Sequence, residues 1–99
     1  MKQGPSLTLE AAEGLAVQAL TFIAGEPERL SRFLAMTGIA PGEIRAASGE
    51  PGFLAGVLEH LAGDERLLTE FAAGAGVDPA AVGQAIAALT GGAWEREVP

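Results

Sequence analysis

Two short words in the sequence, Gly38-Ile39-Ala40-Pro41 and Gly76-Val77-Asp78-Pro79, stand 38 residues apart, each between apolar helical runs. Phe33-Leu34-Ala35 precedes the first and Ile44 follows it; Phe71-Ala72-Ala73 precedes the second and Val82 follows it. Such a word reads as a helix stop and restart. Glycine takes the left-handed position past the helix end, the aliphatic residue dips into the core, and proline opens the next helix. Two corners of this kind commit the chain to helices joined by short loops. The apolar residues point the same way, because alanine and leucine dominate and there are only four Phe, one Trp and no Tyr. Alanine and leucine favour helix, and β-branched and aromatic residues are too sparse for a sheet.

Taken in order, the pattern predicts six helices. Thr8 caps the first, Glu10 sits in its first turn, and Leu9, Ala12, Ala16, Ala19, Leu20 and Ile23 recur on one face up to Gly25. Glu26-Pro27 opens a second helix to Thr37 with Leu30, Phe33 and Leu34 inward; Pro41 opens a short third with Ile44 and Ala47 inward, stopped at Ser48-Gly49. Pro51 opens the fourth, with the strongest amphipathic stripe in Phe53, Leu54, Val57, Leu58 and Leu61. Asp64 caps the fifth, with Leu67, Leu68, Phe71 and Ala72 inward, and Asp78-Pro79 opens the sixth, with Val82, Ala85, Ile86 and Leu89. Residues 1–7 read as a disordered lead-in, and Gly91-Gly92 as the release of a tail over residues 93–99. The expected fold is a single all-α domain over 1–99, a six-helix bundle around Leu20, Ile23, Phe33, Leu34, Phe53, Leu58, Leu61, Phe71 and Ile86.

Laid without a gap over residues 49–86, residues 11–48 match at Gly25/Gly63, Leu30/Leu68, Phe33/Phe71, Gly38/Gly76 and Pro41/Pro79, among others. The identities fall on core and corner positions, as an internal repeat of a three-helix unit requires. The alternative is that two helix corners obey the same stereochemistry.

Charge and composition narrow the function classes. Thirteen acidic residues against six basic ones give a net charge of -7. Phosphate backbones repel such a surface unless the cations are gathered, and Lys2, Arg29, Arg32, Arg45, Arg66 and Arg96 are spread along the chain. With no cysteine there is neither a disulfide nor a thiolate metal site. No apolar run approaches the roughly 20 residues of a membrane helix, and Met1-Lys2-Gln3-Gly4-Pro5 does not begin a signal peptide. The expectation is a cytoplasmic bacterial protein that neither spans nor binds a membrane.

The corners also have the spacing of a DNA-binding helix-turn-helix, in Ala72, Gly76, Val77 and Val82 and nearly so in Leu34, Gly38, Ile39 and Ile44. The helix after the later corner offers Gln84 and no Arg or Lys for readout. The earlier copy, residues 11–48, balances to -1 and the later, 49–86, to -5, so nucleic acid, if bound, would meet Arg29, Arg32 and Arg45.

Chemistry has little to stand on. His60 has Asp64 one turn on and Glu59 adjacent, but these do not close a metal shell. It reads as a surface histidine near a helix end. No nucleophile pattern and no phosphate loop is present, so no enzyme, catalytic residue, cofactor or metal is expected. Gly14, Gly56, Gly74 and Gly83 each cost about 1 kcal/mol relative to alanine inside a helix, a cost that close backbone approach offsets, within the chain in the preferred reading and between subunits otherwise. Trp94, flanked by Glu95 and Arg96, either folds back on the core or anchors a partner.

Leu15-Ala16-Val17-Gln18-Ala19-Leu20, Glu26-Pro27-Glu28-Arg29-Leu30, Arg32-Phe33-Leu34-Ala35 with Thr37-Gly38 and Pro41, Pro51-Gly52-Phe53-Leu54 with Val57-Leu58, and Trp94-Glu95-Arg96 carry a resemblance. From about Ala12 to Pro99 the chain resembles a family of short bacterial proteins of unknown function, domain of unknown function 3572. The resemblance implies no catalytic or ligand residue. Its polar segments single out Glu28, Arg29, Arg32, Trp94 and Arg96 as a partner surface. The expected function is a non-enzymatic protein-interaction or assembly module with an unknown protein partner and room for homo-oligomers; the alternative is a degenerate helix-turn-helix regulator.

Overall fold

The computed structural model describes the backbone of residues 8–96 and the side chains of residues 8–90, and the expected lead-in over residues 1–7 lies outside the described residues. Helix α1, Leu9–Ala24, begins where the Thr8 hydroxyl accepts the Ala11 N–H at 3.0 Å, and it ends at Gly25. Helix α2, Pro27–Thr37, has proline in its first turn and stops where Gly38 turns left-handed at φ 75°. A 3-10 turn, Pro41–Glu43, leads into the single turn of α3, Ile44–Ala47. Helix α4, Pro51–Ala62, again starts on proline. Asp64 accepts the Leu67 N–H at 3.2 Å to open α5, Glu65–Ala75, and Gly76 closes it at φ 72°. Asp78 accepts the Ala80 N–H at 2.9 Å ahead of α6, Ala80–Arg96. Among the described residues these are the helices of the fold and there is no strand.

The core forms where α1, α4 and α6 pack on one another, with α2 and α5 laid against that trio. Helix α1 turns Ala12, Ala16, Ala19 and Ile23 inward, a mostly low surface that leaves room for the larger Leu54, Val57, Leu58 and Leu61 of α4. Phe33 from α2, Phe71 from α5 and Val82, Ala85 and Leu89 from α6 complete it. Ile23, Phe33, Val57, Leu58 and Leu61 are wholly out of water, and each such burial contributes about 1.5–3 kcal/mol. All nine residues expected in the core lie in it or against it: Ile23, Phe33, Leu58, Leu61 and Phe71 are buried, while Leu20, Leu34, Phe53 and Ile86 are partly buried and packed on them.

The 38-residue spacing recurs in the helix bounds. Helices α1 and α4 end at Ala24 and Ala62, and α2 and α5 run over 27–37 and 65–75. Their third helices differ, because α6 buries Val82, Ala85 and Leu89 whereas α3 buries nothing. The corners differ in packing: Ile39 and Val77 are both half-buried, but of the two Val77 packs on the core cluster.

Two expectations are corrected. Gly91-Gly92 does not release a tail at residue 93, for α6 continues through both glycines to Arg96. Glycine makes a helix interior costlier but stops it only where the backbone turns left-handed, and among the described residues that happens at Gly38 and Gly76. Nor, among the described residues, do the interior glycines admit another part of the chain. A Cβ placed on Gly14, Gly56, Gly74 or Gly83 would meet nothing within 4 Å among the described residues.

Candidate functional site

Pro27 in the first turn of α2 sets the register that places Arg29, Arg32 and Met36 at i, i+3 and i+7, on one face of the helix. That face looks across to the turn where α4 passes into α5. Glu26, Glu28, Arg29 and Arg32 on one side and His60, Asp64 and Leu67 on the other line a cleft of about 150 Å³. It opens into a second of about 450 Å³, where Met36, Glu59, Gly63 and Glu65 join Arg32, His60 and Asp64. Glu28, Arg29 and Arg32, named from sequence as partner residues, are therefore brought together. Trp94 and Arg96 belong to α6 by backbone, and their side chains lie outside the described residues.

The two arginines do different work. Arg29 reaches back across the α1–α2 corner, where its Nε and Nη2 donate to the Phe22 carbonyl oxygen at 3.2 and 2.8 Å. Its guanidinium carbon lies 4.0 Å from the Phe22 ring centroid, and Nη1 stands 3.5 Å from a Glu26 carboxylate oxygen. A cation at the carboxyl end of α1 also meets the negative end of that helix dipole. Arg29 is thus an internal tie. Arg32 is exposed and, among the described residues, has neither an ion pair nor a hydrogen bond.

His60 is not the surface histidine expected from its neighbours. Its ring stands edge-on to the buried Phe33, centroids 5.2 Å apart at 82°. Burial holds its pKa below the ordinary 6.5; the Asp64 carboxylate opposes that shift and the Arg32 guanidinium adds to it. Half-buried against an aromatic ring, the imidazole is favoured in its neutral form. Asp64 spends an oxygen on the Leu67 N–H, and among the described residues no hydrogen bond joins it to His60, so the pairing that orients a general base is not made. Nor does any group of three His, Asp or Glu among the described residues stand ready to hold a metal ion.

Met36 is the residue that sequence reasoning missed. It is 71% exposed at the rim of the larger cleft, next to Arg32. Its signal was the shared face with Arg29 and Arg32, off the buried stripe of Leu30, Phe33 and Leu34. The helix-turn-helix corner gains no such support. Arg29 is occupied by Phe22, and the helix after the first corner, with Arg45, is a single turn, too short to lie along a groove and present several side chains to bases. Among the described residues no helix is long and apolar enough to cross a membrane.

Over residues 9–92 the chain matches the family model described as Protein of unknown function (DUF3572). Neither a search of curated proteins nor one of solved structures returns a match.

Proposed function

We propose that this chain, which belongs to the DUF3572 family, is a non-enzymatic protein-interaction or assembly module whose contact surface is the cleft between α2 and the α4–α5 turn. The observation that carries the reading is Met36, 71% exposed beside an Arg32 that has no partner among the described residues. The fold gains nothing from either side chain where it stands. Methionine and arginine are enriched where proteins meet, methionine because it repacks against varied surfaces and arginine because its planar fork makes several directed bonds. His60, held neutral and half-buried, and the carboxylates Glu28, Glu59, Asp64 and Glu65 give the cleft a polar rim. Trp94 and Arg96 are included as further contact residues on their sequence setting alone.

The test is affinity capture from cytosol of the source cells, with and without nuclease, using the unaltered chain and the variants Arg32→Glu and Met36→Lys. Both side chains being exposed, the variants are expected to melt within about 0.5 kcal/mol of the parent while a nuclease-resistant protein is lost from the capture. A protein captured equally by both variants would refute the assignment of this cleft, and capture abolished by nuclease would refute the protein-partner reading.

A further inference from the structure

Between Gly38, which ends α2, and Pro51, which opens α4, residues 39–50 cross from one half of the fold to the other. No residue of this stretch is buried. Ile39, Ile44 and Ala47 are half-buried, yet among the described residues none of them packs on the core cluster, whose members come from α1, α2, α4, α5 and α6. The hydrogen bonds of the stretch are local. The N–H groups of Glu43, Ser48 and Glu50 donate to the carbonyl oxygens of Ala40, Ile44 and Ala47, each at 2.9 Å, and the Ser48 hydroxyl donates to the Arg45 carbonyl at 2.8 Å. Among the described residues none reaches beyond the adjoining turns of α2 and α4. Arg45 is exposed and, among the described residues, has no ion pair.

From these features we infer that residues 39–50 are a strap that opens as a unit while α1, α2, α4, α5 and α6 stay folded, and that the Arg45–Ala46 bond on it is the chain's site of cleavage by a protease of the trypsin class. Local opening costs only what the opened residues contribute. The strap contributes no core burial and one turn of helix, far short of the length at which a helix stands alone, while ordering its backbone opposes folding at every residue. The body keeps its whole core when the strap lets go. The arginines of the body are held differently. Arg29 and Arg32 lie within α2 beside the buried Phe33, and Arg66 lies in the first turn of α5, between the Asp64 cap and Leu67 and Leu68, which pack on the core. Drawing an extended segment into a protease at those positions breaks core packing; at Arg45 it breaks one turn. In the cut, water gives its hydroxyl to the Arg45 carbonyl carbon and its proton to the Ala46 nitrogen. The piece 1–45 then carries α1 and α2, and 46–99 carries α4, α5 and α6. Because α1 packs on both α4 and α6, the two pieces stay together.

Brief digestion of the full chain with trypsin, followed by intact mass, is expected to cut after Arg45 before Arg29, Arg32 or Arg66, apart from trimming after Lys2 or Arg96. The two pieces should leave a sizing column together at the parent's volume and separate only in denaturant. Arg45→Gln should slow the first internal cut at least about tenfold. Hydrogen exchange distinguishes opening from mere exposure: the hydrogen-bonded amides of Glu43, Ser48 and Glu50 are expected to be protected at least about 100-fold less than those of Val57 and Leu58 in α4. A first cut at Arg29, Arg32 or Arg66, an unchanged rate in Arg45→Gln, pieces that part without denaturant, or strap amides as protected as those of α4 would overturn the inference. No wall of the α2 cleft belongs to the strap, so capture experiments on Arg32 and Met36 stand or fall independently.

Discussion

Arg29 and Arg32 are three residues apart on one helix, and the structure assigns them opposite roles that a melting experiment separates. In Arg29→Met the stem is kept and the guanidinium removed. The Phe22 carbonyl loses two donors, at 3.2 and 2.8 Å, but keeps the Gly25 N–H at 3.2 Å. Since the acceptor is not orphaned, the loss is about 1.5 kcal/mol rather than the larger penalty of a buried bare carbonyl. The contact over the Phe22 ring adds about 0.5–1 kcal/mol. The 3.5 Å pair with Glu26, whose side chain is 59% exposed, adds about nothing, because water screens it and ordering two long side chains opposes it. The sum is about 2 kcal/mol, which in a domain of this size lowers the melting temperature by about 8–16 °C. Arg29→Lys keeps the charge without the fork and should recover less than half of that. Arg32→Met, with no partner to lose among the described residues, should stay within about 0.5 kcal/mol of the parent. Thermal unfolding followed by circular dichroism decides. An Arg29→Met chain melting within about 2 °C of the parent, or an Arg32→Met chain falling as far, would refute the division of labour.

The glycines divide in the same manner. Gly38→Ala and Gly76→Ala force a Cβ into left-handed backbone at φ 75° and 72° and should each cost about 1–2 kcal/mol, whereas Gly83→Ala, with open space around it, should gain about 0.5–1 kcal/mol; denaturant midpoints that rank them otherwise contradict the corner geometry. Asp64→Ala removes the acceptor of the Leu67 N–H and should cost about 1 kcal/mol in the same assay. His60, with its folded pKa below the ordinary 6.5, adds full stability above that value, and as pH falls below it the unfolded chain takes up the proton first, so stability declines towards the lowered folded pKa. Melting temperatures between about pH 7.5 and 5.5, where carboxylates are still ionised, should therefore fall for the parent and fall less for His60→Leu; equal slopes would show that His60 titrates as it does in the unfolded chain.

What was legible in the sequence is what local stereochemistry decides. Thr8 and Asp64 cap α1 and α5, prolines open α2 and α4, and Gly38 and Gly76 end α2 and α5 in the left-handed conformation. Each needs only a few consecutive residues. The candidate site was legible by half. Glu28, Arg29 and Arg32 were named because they are polar, and they do meet in one cleft. That Arg29 is spent on Phe22 depends on how sharply the chain turns between α1 and α2, which the letters do not state. The burial of His60 depends on Phe33, brought to it from another helix. Met36 looked like one more apolar residue of a helix that had already buried its stripe. Gly91-Gly92 failed for the opposite reason. The same residue marks a helix end and tolerates a helix interior, and what decides is the backbone conformation after it.

The repeated corner explains why the halves resemble each other and also why they cannot be equal. A glycine in the left-handed conformation, a half-buried aliphatic and a proline two residues on direct a third helix back towards the first two. In the second half Val82, Ala85 and Leu89 follow, a stripe about two turns long that α6 buries between α1 and α4. The corresponding positions of the first half are Ile44, Ala47 and Pro51. The third member of that stripe is a proline, whose ring excludes it from a helix interior, and it already opens α4. So α3 stops after one turn, and α6 is the third helix that packs on both α1 and α4. The central trio therefore draws α1 from the first half and α4 and α6 from the second. Only the second half has a third helix long enough to close the core.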